Sequence, residues 1–187
     1  MGYHQNMQFH PETCRKTTQS PWGLLTLAAN PHGLCGVWFE NQKHFPDTHS
    51  WTVDQRHPLL LQAEEILAQF FQQNWPAASS AHMVLKKLPL DLSGGTAFQQ
   101  AVWQALMSIP LGQTCSYGEL AAAIGRPGAI RAVGTAIGRN PISILIPCHR
   151  VLGTLGQLTG YAGGVWRKQA LLELENVKFL TAVNRQP

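Results

Sequence analysis

The sequence predicts a two-part fold: a small α/β domain over residues 1–92 and a mainly α-helical domain over residues 96–187 that carries a helix-turn-helix. Three observations predict it. In the first half, two apolar strand-like runs flank a turn, and one helix-spaced stretch follows them. In the second half, short helix-spaced stretches alternate with capping residues and glycines. Between the halves, Ser93-Gly94-Gly95 breaks the pattern and serves as the linker.

The elements follow in order. Residues 1–19 read as a polar arm. Pro21 to Ala29 and Leu34 to Glu40 form a hairpin about Asn30-Pro31-His32-Gly33, whose residues favour turns. Residues 41–57, polar and holding Pro46, read as a loop. Leu59, Ala63, Ile66, Leu67 and Phe70 recur at helical spacing, which predicts a helix from 59 to 75 between Pro58 and Pro76. Leu88 to Leu92 is a short strand candidate. Thr96 can cap a helix with Phe98, Val102, Leu106 and Ile109 on one stripe, ended by Pro110 and Gly112. Ser116, with Glu119 three residues on, opens a short helix as a capping box. Arg126-Pro127-Gly128 turns the chain into a further helix from 128 to 138, and the pair reads as a helix-turn-helix. Ile142 to Pro147 reads as a buried strand, residues 151–164 as a Gly-rich hairpin, and residues 165–175 as a last helix.

Composition excludes several classes. With 44% hydrophobic and 13% charged residues, the chain is too apolar to be disordered. It has no apolar run near the roughly 18–20 residues that span a bilayer. The first residues lack the apolar segment of a signal peptide, and four dispersed cysteines do not make a disulfide scaffold. The expectation is a reducing compartment, cytoplasm or nucleus. The net charge of +4 is uneven: residues 1–95 carry six basic and seven acidic side chains, residues 96–187 eight and three. A basic half is a prior for a polyanion partner.

The candidate nucleophile is Cys148, in Ile144-Leu145-Ile146-Pro147-Cys148-His149-Arg150-Val151. A neighbouring His or cation helps a thiol become a thiolate. In an extended chain, adjacent side chains point to opposite faces, so His149 serves Cys148 only if the chain turns there or a water relays the proton. Local chemistry alone leaves a catalytic thiol and a buried structural thiol level. Cys35 reads as core, Cys14 as part of the arm and Cys115 as structural. His10, Cys14, Cys35 and His82 lack the close ligand pairs of structural zinc sites, so no metal is expected. The helix from 128 to 138 shows Ala129, Ala132 and Ala136 in a small-residue stripe with Arg131 as its one long cation. Such a face could press into the DNA minor groove, whose hydrogen-bond code is degenerate, or pack on a neighbouring helix.

Pro147-Cys148-His149-Arg150-Val151, with Arg131-Ala-Val-Gly134, Asn140-Pro141, Tyr161-Ala-Gly-Gly164, Ser116-Tyr117 and Phe98-Gln-Gln-Ala-Val-Trp103 in order, resembles the O6-alkylguanine-DNA alkyltransferases, also called methylated-DNA–protein-cysteine methyltransferases. The resemblance is strong from 96 to 175 and looser in the first domain, where Ser20-Pro-Trp-Gly-Leu-Leu-Thr-Leu resembles the opening strand. It implies a ribonuclease H-like first domain and a winged-helix-like second one. It also implies a monomer with no cofactor, no membrane contact and duplex DNA carrying O6-alkylguanine as partner. Repair would be single-turnover. The damaged base is flipped out through the minor groove, and Cys148 takes the alkyl group from guanine O6, and also from thymine O4. The implied roles are Cys148 as nucleophile, His149 as base through a water, Glu175 as the group orienting His149, Asn140 as a bracing turn residue and Tyr117 as a hydrogen bond to guanine. Ala129, Arg131, Ala132, Gly134, Thr135 and Tyr117 would face DNA, with Arg131 filling the vacated place. Ile137, Val151, Tyr161 and Ala162 would line the pocket, Val151 and Ala162 through their backbones. Some relatives have Ser at the position of Ala162, so that hydroxyl is absent here.

Spacing separates the two last-helix glutamates: Glu175 shares the inward side of Leu171 and Leu172, whereas Glu173 stacks over Gln169 and Ala170. Arg126, Arg131, Arg139 and Arg150 give the basic half an address beside the DNA face and the nucleophile. Two other functions compete, a sensor of alkylated bases that does not repair them and a cysteine hydrolase. Cys148 argues against the first, and the lack of a clear oxyanion motif argues against the second.

Overall fold

The computed structural model describes residues 7–73 and 88–180. Four strands form one sheet: β1 (Cys14–Ser20), β2 (Gly23–Asn30), β3 (Gly33–Phe39) and β4 (Thr52–Val53), in the order β3-β2-β1-β4. β1–β2 and β2–β3 are antiparallel, and β4 runs parallel to β1. The expected hairpin is β2–β3. Asn30 shapes its turn, its Oδ1 accepting from the N–H of His32 at 2.8 Å and of Gly33 at 3.2 Å. Gly33 has φ 151°, and a Cβ there would lie 2.5 Å from the Pro89 carbonyl oxygen, so only glycine fits.

The polar arm expected over residues 1–19 is a strand from Cys14 onward. Its polar residues hid it, because it lies inside the sheet yet presents only alternate side chains to the core. Lys16 is buried by its aliphatic stem and ends in an ion pair with Glu64 at 3.1 Å. Glu64 belongs to α1 (Pro58–Phe71), which begins on proline and buries Leu60, Ala63, Ile66, Leu67 and Phe70. The helix ends at Phe71 and not near 75. Gln73 already has φ 54°, and Trp75 lies outside the described residues. The strand candidate at 88–92 is a single bridge, Leu34 to Leu90.

The second half holds α2 (Ala97–Met107), β5 (Cys115–Ser116), α3 (Tyr117–Ala123), α4 (Ile130–Gly138), a 3-10 turn (Cys148–Arg150), β6 (Val151–Leu152) and α5 (Val165–Leu174). Thr96 caps α2 with Gln99, and Ser116 caps α3 with Glu119, each as a reciprocal capping box. Gly125, at φ 69°, closes α3, where the N–H groups of Gly125 and Arg126 reach back to Ala122 and Ala121. That tight exit aims α4 back across α2. Trp103 Nε1 donates to the Ala136 carbonyl at 2.9 Å and pins the crossing.

Two expectations fail here. Ile142 to Pro147 is buried but is a series of turns, held to β3 by Val37 N–H to the Pro141 carbonyl (2.9 Å) and Ser143 N–H to the Val37 carbonyl (2.8 Å). Residues 151–164 form no hairpin; β6 pairs in parallel with β5 instead. One hydrophobic core runs through both halves, from Leu25, Val37 and Leu60 to Trp103, Ile142, Ile146 and Leu171. A second cluster, Cys35, Trp38 and Trp51 with Phe9 and Phe45 against it, holds further aromatics. Among the described residues no helix is long and apolar enough to cross a membrane.

Candidate active site

Asn140 organises the segment that presents Cys148. Its Oδ1 accepts from Ile142 N–H at 3.1 Å, and its Nδ2 donates to the Ile146 carbonyl at 2.8 Å and to Cys148 Sγ at 3.1 Å. One amide side chain therefore folds residues 140–148 into turns and ends on the thiol. The run includes Ile144 at φ 72°, a conformation a β-branched residue adopts only under constraint. The chain does turn at Cys148, which removes the objection from alternating strand faces.

The 3-10 turn sends His149 and Arg150 inward. His149 Nε2 lies 2.8 Å from Glu175 Oε1, with both side chains buried. Arg150 grips the same carboxylate with Nε to Oε2 and a second nitrogen to Oε1, both at 2.9 Å, and donates to the Ile109 carbonyl at 2.7 Å. Arg150 is thus an interior clamp and not a cation beside DNA, which corrects the sequence expectation. Burial pushes the Glu175 carboxyl up, but His149 and Arg150 outweigh it and hold it down to about 2. An ionised Glu175 only accepts hydrogen bonds, so the proton of His149 sits on Nε2 and the lone pair is on Nδ1. Burial keeps His149 below its ordinary range despite Glu175, so the ring is neutral and basic at Nδ1.

The thiol is protonated at rest. Burial raises Cys148 above its ordinary value, opposed by Asn140 and by the charge of Lys168. Lys168 itself is buried; desolvation lowers it to about 8, and its Nζ donates to the Val151 carbonyl at 2.6 Å and to Thr159 Oγ1 at 3.1 Å. Burial, then the neighbouring Cys148, raises the Tyr161 phenol, which stays neutral.

A cleft of about 680 Å³ opens beside this cluster, lined by Tyr117, Ile137, Thr159, Tyr161, Ala162 and the Gly134-Thr135 turn of α4, among others. Of the expected pocket residues, Ile137, Tyr161 and Ala162 line it, whereas Val151 is fully buried and does not line it. The Ala162 carbonyl accepts from Lys43 N–H at 2.9 Å. On the expected DNA face, Arg131, Ala132 and Thr135 are exposed, and Ala129, Gly134 and Tyr117 are half-buried. Ala136 turns inward, so the alanine stripe divides between surface and core. Among the described residues no cluster of three His, Cys, Asp or Glu side chains could hold a metal; His82 lies outside them.

Residues 97–177 match the family model of the 6-O-methylguanine DNA methyltransferase, DNA binding domain. The chain is 46% identical over 160 residues to the methylated-DNA–protein-cysteine methyltransferase of Mycolicibacterium paratuberculosis, covering 86% of this chain and 90% of that one. The chain belongs to the methylated-DNA–protein-cysteine methyltransferase family. Solved structures of family members agree. The O6-methylguanine methyltransferase of Mycobacterium tuberculosis superposes with TM-score 0.74 at 45% identity, covering 87% of this chain and 92% of that one. The M. tuberculosis OGT in complex with DNA also gives 0.74, at 46% identity, covering 86% and 91%.

Two residues of this methyltransferase site escaped the sequence reading. Lys168 and Thr159 belong to none of the motifs singled out in the sequence. The available signal for Lys168 was its spacing, three and four residues before the inward Leu171 and Leu172.

Proposed function

We propose that this chain repairs alkylated duplex DNA by moving an alkyl group, chiefly methyl, from guanine O6 to Cys148, once per molecule. The observation that carries the reading is the buried His149–Glu175–Arg150 cluster next in the chain to a thiol that Asn140 holds at 3.1 Å. His149 Nδ1 takes the Cys148 proton through one water. The sulfur forms a bond to the alkyl carbon as the carbon–O6 bond breaks, and the electron pair leaves with the guanine. Tyr117 donates a hydrogen bond that helps the base depart neutral. The thioether has no good leaving group, so the protein is consumed.

Reaching O6 needs the base out of the stack. α4 supplies the means in this reading: its small outer residues Ala129, Ala132, Gly134 and Thr135 approach the minor groove, and exposed Arg131 fills the vacated place. O4-alkylthymine is a second substrate of the same pocket. We assign the first domain to residues 1–92, joined by 93–95 to the second at 96–187. The β3-β2-β1-β4 order with β4 parallel to β1 supports a ribonuclease H-like first domain. α3 and α4, flanked by the β5–β6 pair, support a winged-helix-like second one.

The test is intact-mass and peptide analysis after incubation with duplex DNA containing O6-methylguanine. The peptide holding Cys148 should gain one methyl, about 14 Da, with an end point of one per protein. Unmodified Cys148, or turnover past one equivalent, would defeat the proposal.

A further inference from the structure

The polar groups at the wall of the cleft form a chain with a donor fixed at one end. Lys168 Nζ donates to Thr159 Oγ1 at 3.1 Å, and Thr159 Oγ1 lies 2.8 Å from the Tyr117 hydroxyl. Lys168 is buried, and its Nζ is anchored a second time by the Val151 carbonyl at 2.6 Å. An ammonium has donors and no acceptor. With Lys168 lowered to about 8, that form still dominates at pH 7. Thr159 Oγ1 accepts from Lys168 with one lone pair; the ammonium cannot accept in return, so the Tyr117 oxygen is the partner within reach of the single Thr159 proton. With Tyr117 accepting from Thr159, its own O–H turns away from Thr159, toward the cleft that both residues line.

We infer that Thr159 is a positioning residue for the alkyl-transfer reaction: together with Lys168 it fixes the Tyr117 hydroxyl as a donor facing the substrate. Without this relay the phenolic proton could be spent on Thr159, and the hydroxyl would face the substrate as an acceptor. Tyr117 sits at the first position of α3, so its ring is placed by the Ser116–Glu119 capping box, while the sense of its hydroxyl is set by Thr159. The relay rests on the proposed transfer to Cys148, and it adds the group that orients the donor.

The experiment measures the single-turnover transfer rate from O6-methylguanine duplex for wild type, Thr159→Val, Thr159→Ser, Tyr117→Phe and the Tyr117→Phe/Thr159→Val double variant. Affinity for unmodified duplex and melting temperature are recorded for each. Thr159→Val, which keeps the shape and loses the hydroxyl, should slow transfer roughly tenfold while leaving duplex affinity within about twofold. Thr159→Ser should restore the rate to within about threefold of wild type. In the Tyr117→Phe background, Thr159→Val should cost nothing further, because the hydroxyl it orients is gone. A wild-type rate in Thr159→Val, or independent losses that multiply in the double variant, overturns the inference. If Thr159→Val does not fold, Thr159→Ala is read against the same two outcomes. A wild-type protein that transfers nothing would instead sink the alkyl-transfer proposal itself.

Discussion

At the scale of single residues, position distinguishes Cys148 from the other cysteines more than acidity does. Burial raises Cys35 to about 12 and Cys115 to about 11, and it raises Cys148 as well. What Cys148 has in addition is Asn140 at its sulfur and Lys168 nearby. The shared carboxylate of Glu175 is the residue with most to lose. Glu175→Gln would leave buried Arg150 and His149 without their anion, a change that costs about 3–5 kcal/mol when one partner of a buried pair is removed. The sign of its pH dependence is fixed too. Glu175 falls from an ordinary value near 4.5 to about 2 in the folded protein, so the unfolded chain binds the extra proton between these values. Its contribution, about 3 kcal/mol, is complete above pH 4.5 and is lost as pH falls toward 2. Denaturant melts across that window should show a steeper acid loss for wild type than for Glu175→Gln; parallel curves would refute the assignment. The sequence made Cys148, His149 and Glu175 legible because the motif and helix spacing carry them. It left Arg150 at the surface, since adjacency to a nucleophile does not reveal a 3-10 turn that buries the guanidinium.

At the scale of elements, the capped helices were the most legible, because a cap is a local contract between a side chain and nearby N–H groups. Ser116→Ala removes the α3 cap and should destabilise the protein by about 1 kcal/mol. That corresponds to roughly 2–4 °C in the melting temperature of a chain of this size, read by calorimetry. An unchanged melting temperature would show that tertiary packing alone holds α3. Elements whose partners lie far along the chain were misread. β1 carries Arg15, Lys16, Thr17, Thr18 and Gln19, so its polar residues outweigh the alternation that buries Cys14 and Lys16. The apolar run 142–147 has strand composition, yet the Asn140 amide captures its backbone and curls it into turns. For α4, exposed Arg131 leads to a further expectation. Arg131→Ala should slow repair in duplex DNA by at least tenfold more than reaction with a free alkylated base, on the scale of the few kcal/mol that unstacking demands. Equal slowing on both substrates would remove Arg131 from base extrusion.

At the scale of the whole molecule, the split in charge that is visible in the sequence is only partly a surface property. Of the basic residues in the second half, Arg150 and Lys168 are buried. Arg167 is tied to the carbonyls of Trp22 and Gly163. On and around the helix-turn-helix the cations are Arg126, Arg131 and Arg139, the first two exposed. The sheet in the first half and the run of helices in the second were legible from the pattern of apolar residues and caps, but the continuity of the core across them was not, because contacts such as Val37 to Ile142 join residues about a hundred positions apart. That continuity makes the first half a brace for the Asn140–Cys148 segment through β3, and DNA contact by the second half alone is the expectation to be tested. Counterion release turns this into a number. Three phosphate contacts give a slope of about −3 for log affinity against log salt concentration. Titrating undamaged duplex at several salt concentrations should yield a slope no steeper than that. A slope near −6 would require phosphate contacts from the first half, and would overturn that expectation.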